Sequence, residues 1–210
     1  MLIEMKKGRK IALIVFCSLI ILTGIVTPIL PFMMGWSPAY GVPMLEFPFE
    51  TSTDIVRLRG YNLIEDGGSY KDHHSGIDLE ISINSTKVIS PCTGTVGLIT
   101  SSVNKNKGHI MISINIRINL VWSIMLVFEP YSNSTEFHEY QMSLLKVKFG
   151  QKIEVGEEVG ILLIGGEFPH IHYTVNRYFS DVCPYEYSST SAQAYFDEIA
   201  IRSNSTICYP

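Results

Sequence analysis

From Ile110 to Phe128 apolar residues hold every even position: Ile110, Ile112, Ile114, Ile116, Ile118, Leu120, Trp122, Ile124, Leu126 and Phe128, with Ser113, Asn115, Arg117 and Asn119 between the first of them. Alternate side chains of a strand point to opposite faces, so this run lays one continuous face against a core. It is too long for one ordinary strand of roughly 3–10 residues. Two strands joined by a hairpin turn within Asn115 to Asn119 are therefore expected, and the unbroken alternation hides where the turn lies. Val88–Ser90, Gly94–Ile99, His109–Ile116, Leu120–Phe128, Val159–Ile164 and His170–Val175 read as further or component strands, rich in Val, Ile and Leu and punctuated by Gly, Pro and Asn. Only the last fifth of the chain has helical spacing. Ala192, Tyr195, Phe196, Ile199 and Ala200 share one face of Ser191–Ile201, behind capping candidates Ser188, Ser189 and Thr190. The fold expected is mostly β, an antiparallel sheet core with a short C-terminal helix.

The N-terminus departs from this pattern. Met1–Lys10 carries Lys6, Lys7, Arg9 and Lys10, and an uncharged apolar stretch follows from Ile11 to Met34. A membrane-spanning helix needs about 20 such residues, and the positive-inside rule keeps the basic end in the cytoplasm and the rest of the chain outside. A cleaved signal peptide is the competing reading. Its apolar core usually runs only about 7–15 residues and ends in a small-x-small site, which is not evident here. Pro28 and Pro31 fall near the outer end of the stretch. Gly35–Asp54, rich in Pro, Gly and Ser, reads as a linker. The expected organisation is thus 1–10 cytoplasmic, 11–34 spanning, 35–54 linker, 55–187 β domain and 188–210 helix and tail.

Composition changes the picture little. A net charge of −4 gives no electrostatic reason to expect nucleic acid. Asn84, Asn133 and Asn204 each begin a glycosylation sequon, as an external location permits. Cys17 lies in the apolar stretch, leaving Cys92, Cys183 and Cys208 with three possible pairings. Cys183 with Cys208 would tie the tail to the domain, while Cys92 beside Pro91 reads as a buried turn residue.

Two short stretches carry the chemistry. His74-Ser75-Gly76-Ile77-Asp78 and His170-Ile171-His172 supply residue types that a catalytic zinc takes as its three protein ligands while a fourth position stays open. On a strand His170 and His172 face one way, into one cleft. Gly76 allows a tight backbone turn that lets His74 and Asp78 converge.

With Val88–Val96 as a strand-turn-strand and Val147–Gly160 as a Val-Lys-x-Gly-Gln segment between them, these motifs resemble the lysostaphin-type (LytM-like, β-lytic) zinc metallopeptidases over roughly Arg59 to Tyr187. The resemblance implies a sheet core of the duplicated hybrid motif (barrel-sandwich hybrid) type. It also implies zinc on His74, Asp78 and His172, with His170 assisting catalysis on peptide substrates such as cell-wall cross-links. The family's usual Tyr-x-His-Leu histidine is missing. The strand ending at Phe128 and Glu129 takes its place, which makes Glu129 a candidate proton acceptor. An insertion, Tyr131–Gln141, follows and holds His138, read as a solvated loop residue. His73 is expected to be exposed, and His109 to be a surface or core histidine. Biotinyl and lipoyl carrier domains share parts of the pattern, but the hairpin Leu162–Phe168 lacks their lysine. Two other readings stay open: an inactive relative that binds wall or protein partners, and an extracellular β-sandwich with a chance constellation.

Overall fold

The computed structural model describes residues 41–64, 73–104, 107–178 and 180–210. Among these residues ten strands and two α-helices follow one another: β1 Ile55–Arg59, β2 Ile77–Ile81, β3 Ser85–Ile89, β4 Gly94–Val103, β5 Ile110–Arg117, β6 Trp122–Glu129, α1 Thr135–Ser143, β7 Lys152–Ile153, β8 Glu158–Leu163, β9 His170–Arg177, β10 Ser180–Val182 and α2 Thr190–Ser203. All strand pairings among them are antiparallel. The main sheet runs β1-β2-β9-β6-β5-β4-β7, with β10 on β9, and β3 pairs with β8 in a separate two-stranded sheet. This agrees with the expected mostly antiparallel β architecture and its short C-terminal helix. Among the described residues no helix is long and apolar enough to cross a membrane, and the expected span 11–34 lies outside them.

The alternating run divides as expected, but later. β5 and β6 pair from Ile112 opposite Phe128 to Arg117 opposite Ser123, so the turn centres on Leu120 rather than within Asn115–Asn119. Asn119 replaces the absent glycine. Its Oδ1 accepts from the amides of Val121 and Trp122 at 2.8 and 3.0 Å, closing the turn through a side chain. In this register the even residues of both strands face the same way. Ile112, Ile114, Ile116, Ile124, Leu126 and Phe128 are fully buried, and the alternation passes through the turn undisturbed.

Two expectations need correcting. The segment expected to be a linker does not remain separate up to Asp54, because Leu45, Phe47 and Phe49 are buried in the core. Leu45 exchanges backbone bonds with Tyr187 and Ser189, and Phe47 meets Phe196 of α2 edge-on at 5.0 Å. Proline and glycine spacing concealed a period-two apolar pattern there. Likewise the insertion after Tyr131 is no plain loop. Ser134 caps α1 by accepting from the Phe137 amide, and Gln141 is buried, bonding both Ile161 O and Leu163 N of β8. His138 sits on this helix and reaches Ser101.

The C-terminal helix forms as its spacing predicts. Ser189 caps it through the Ala192 amide, Asn204 ends it in the left-handed conformation, and Ala192, Phe196, Ile199 and Ala200 are buried. A disulfide joins Cys183 to Cys208, and Cys92 is a buried free thiol.

Candidate metal centre

The register of four adjacent strands sets the site in two rungs. Arg59, Asp78, His172 and Val127 lie side by side across β1, β2, β9 and β6, and two residues along lie Arg57, Glu80, His170 and Glu129. Odd residues of β2 and β9, such as Leu79 and Tyr173, enter the core. The even ones, Asp78, His170 and His172, line a cleft of about 240 Å³ with His74, Glu129 and Tyr131. Each of the five expected site residues is therefore in the same cleft.

Gly76 is needed for a reason other than the one its sequence suggests. Its φ is not positive. Instead a Cβ there would lie 2.6 Å from Tyr173 O, 2.8 Å from Thr174 Oγ1 and 2.9 Å from His172 Nε2. The glycine lets β2 begin against β9, which brings Asp78 opposite His172.

Asp78 is 4% exposed and organises three imidazoles. Its Oδ1 lies 2.7 Å from His172 Nδ1, 3.0 Å from His74 Nε2 and 3.6 Å from His170 Nε2, while Oδ2 faces Arg59 at 3.6 Å. Burial opposes its charge, but His170, His172 and His74 outweigh that and hold the carboxyl well below its usual range.

Proton accounting tests whether a cation fits here. His74 Nδ1 is 2.9 Å from Gly60 O, an atom that only accepts, so Nδ1 carries a proton. In a neutral ring Nε2 is then a bare lone pair directed at the carboxylate oxygen, and only a second proton or a metal ion reconciles the two. Burial works against a charged His74 ring, yet the Asp78 contact prevails and its pKa is raised. His172 shares the same carboxylate oxygen and has Ser75 Oγ 3.3 Å from its other nitrogen. The three ligand atoms lie within 4.8 Å of one another. A tetrahedral zinc with ligands at about 2.0–2.2 Å spaces them about 3.4 Å apart. Two imidazoles on one carboxylate, with His74 fixed by a carbonyl behind it, form a donor set that fits zinc.

Beside this triad His170 donates from Nδ1 to Phe168 O at 2.8 Å, so its Nε2 faces Asp78 at 3.6 Å and Glu129 Oε1 at 3.7 Å. Burial disfavours the charged ring, but the two carboxylates push its pKa up to about 9. Glu129 is buried too. Although burial raises its pKa, His170 and His109 lower it further, leaving a carboxylate.

Sequence reasoning missed what stands behind Glu129. His109, expected to be a surface or core histidine, is buried; its Nε2 lies 2.6 Å from Glu129 Oε2 and its ring stacks on Tyr131 at 4.1 Å. Tyr131 and Phe168, at the cleft rim, hold φ of 64° and 60°, unusual for bulky residues. Gly165 and Gly166 accommodate this segment. Gly165 donates to Pro130 O, and a Cβ on Gly166 would strike Tyr131 O. His73 is exposed at the rim, and His138 does not line the cleft.

No protein-family model matches the sequence, and no curated protein does. Among solved structures, the chain is similar to one described as a zinc containing peptidase from Vibrio cholerae, at 16% identity and a TM-score of 0.46. That similarity covers 67% of this chain and 39% of the other, so this chain spans well under two thirds of that protein's length.

Proposed function

We propose that the chain is a zinc metalloendopeptidase of the lysostaphin type, held to a membrane by residues 11–34 with its β domain outside the cytoplasm. Peptides, such as the cross-links of a cell wall, are its substrates. The observation that carries this reading is the Asp78 carboxylate with His74 Nε2 and His172 Nδ1 turned onto one oxygen, beside a second carboxylate–imidazole pair in the same open cleft.

His74, Asp78 and His172 would hold the ion. When bound, zinc lowers the pKa of a water toward about 7 and polarises a peptide carbonyl. The chain's own residues divide the proton work. Glu129 Oε2 is occupied by His109, which leaves Oε1 as the oxygen on the His170 side to accept a proton. His170 has committed Nδ1 to Phe168 O and presents Nε2–H, a donor suited to a developing oxyanion. Positioned acid–base groups of this kind contribute roughly 10²–10⁴-fold each.

The test is zinc content of the purified protein, measured with hydrolysis of a pentaglycine or wall-peptide substrate. Wild type, His172→Ala and Glu129→Gln are compared. Stoichiometric zinc lost in His172→Ala, with hydrolysis lost and zinc kept in Glu129→Gln, is expected. Zinc without hydrolysis in the wild type would identify a metal-stabilised binding module instead. Equal metal content in wild type and His172→Ala would refute the metal centre.

A further inference from the structure

β6 and β9 each run the length of the sheet between two very different ends. Glu129 opposes His170 at one end, where the cleft opens, and Trp122 opposes Arg177 at the other. Seven steps of about 3.3 Å separate these ends by about 23 Å.

At the Trp122 end three chain segments meet. The β5–β6 turn exposes Leu120 at 39%, the β9–β10 turn exposes Tyr178 at 64%, and the first described segment exposes Val42 at 70% and Met44 at 75%. Hydrogen bonds join them. Asn119 Nδ2 donates to Gly41 O at 3.4 Å, and the Tyr178 amide donates to Val121 O at 2.6 Å. Tyr178 takes the left-handed conformation, with φ 58°, while its ring stands in solvent. Leu120, Tyr178 and Arg117 line one recess, and the exposed Arg177 lies over Trp122. Single exposed apolar residues are ordinary. Here they come from three segments gathered where the chain arrives from its apolar stretch.

That arrival sets the geometry. Residues 35–40 separate the stretch ending at Met34 from Gly41. The seven steps from Met34 to Gly41 reach at most about 25 Å fully extended, so Gly41 at this end of the sheet stays within that distance of the apolar segment. Tyr and Arg beside aliphatic side chains also suit the boundary between acyl chains and headgroups.

We propose that the turn end of the sheet, with Val42, Met44, Leu120 and Tyr178, rests on the lipid surface, holding the cleft about 23 Å further out and directed away from the bilayer. The proposal rests on reading residues 11–34 as an anchor.

Its test uses the full chain in phosphatidylcholine–phosphatidylglycerol vesicles, with Cys17→Ser as background and the buried Cys92 left in place. Single fluorescent labels are introduced at Leu120→Cys, Tyr178→Cys and, near the cleft end, Asn133→Cys. The expected result is loss of emission at the first two labels when the lipids carry a headgroup-proximal spin label, with Asn133→Cys unaffected. Protein that floats with the vesicles but shows no difference among the three labels overturns the docked orientation and leaves the anchor standing. Failure to float overturns both. Loss of emission that occurs without the spin label and vanishes on dilution of protein in lipid is self-quenching between copies, which assigns the surface to a second copy and likewise overturns the proposal.

Discussion

Replacing Gly76 by alanine tests the close approach that builds the site, and it needs no assumption about activity. The added Cβ meets Tyr173 O at 2.6 Å, Thr174 Oγ1 at 2.8 Å and His172 Nε2 at 2.9 Å. Tyr173 O belongs to the backbone of β9, where Ile77 of β2 pairs with Tyr173, so relief requires the two strands to part. Overpacking costs about 1–3 kcal/mol, and a backbone obstacle places this case near the upper value. With a urea slope of about 2 kcal/mol per molar, the unfolding midpoint should fall by about 1–1.5 M at unchanged slope. Two glycines calibrate the measurement. Gly41 has nothing within 4 Å of a built Cβ, and its alanine variant should stay within about 0.5 kcal/mol of wild type. Gly156 has equal space but a φ of 82°, so Gly156→Ala should cost about 1–2 kcal/mol through backbone strain alone. Displacement of His172 should also weaken zinc binding in Gly76→Ala about tenfold or more in a chelator competition. A Gly76→Ala midpoint equal to that of Gly41→Ala would refute the packing argument and with it the account of how Asp78 is brought to His172.

Further outcomes follow from other contacts. His109→Phe keeps the ring against Tyr131 but removes the donor to Glu129 Oε2. It should cost about 1.5–3 kcal/mol in urea unfolding, whereas no loss would mean the bond contributes nothing. Burial pushes the Cys92 thiol up to about 12, so in a Cys17→Ser background a thiol reagent at pH 8 should label the protein only after unfolding. Rapid labelling of the native form would place Cys92 at the surface. Cys208→Ser opens a disulfide that spans a separation of 25 residues, and chain entropy predicts a loss of about 3.5 kcal/mol. An unchanged midpoint between oxidised wild type and the variant would count against the bridge as a structural tie.

The site was more legible than the architecture around it. His170 and His172 stand out because alternation along a strand is exact to the residue and the two share a parity, and His74 and Asp78 because a glycine lies between two residue types that ligate zinc. Glu129 stands out because it falls where the resemblance would place a histidine. What could not be read was register between strands. With the turn placed within Asn115–Asn119, His109 falls opposite the middle of β6. With the turn centred on Leu120, it falls beside Glu129 and Tyr131. Even parity on both strands erased the only local sign of that shift. Gly76 shows the same limit, since a residue required by a neighbour nearly a hundred positions away leaves a glycine but no stated reason. Leu45, Phe47 and Phe49 were hidden differently. Their prolines signal an irregular chain, and an irregular chain can still bury every second side chain.

The pairing of Asp78 with His172 joins residues 94 positions apart. Loop closure over such a distance is entropically slow to begin, and contacts of this range form late relative to hairpins such as β5–β6. Asp78 and His172 acquire their spacing only where β2 lies on β9, Glu129 joins them only where β6 does, and Arg59 only where β1 pairs with β2. A chain arrested before these pairings form would carry every side chain of the centre and none of its geometry. Metal uptake would therefore report on the seating of β2 against β9, the contact that brings Asp78 to His172.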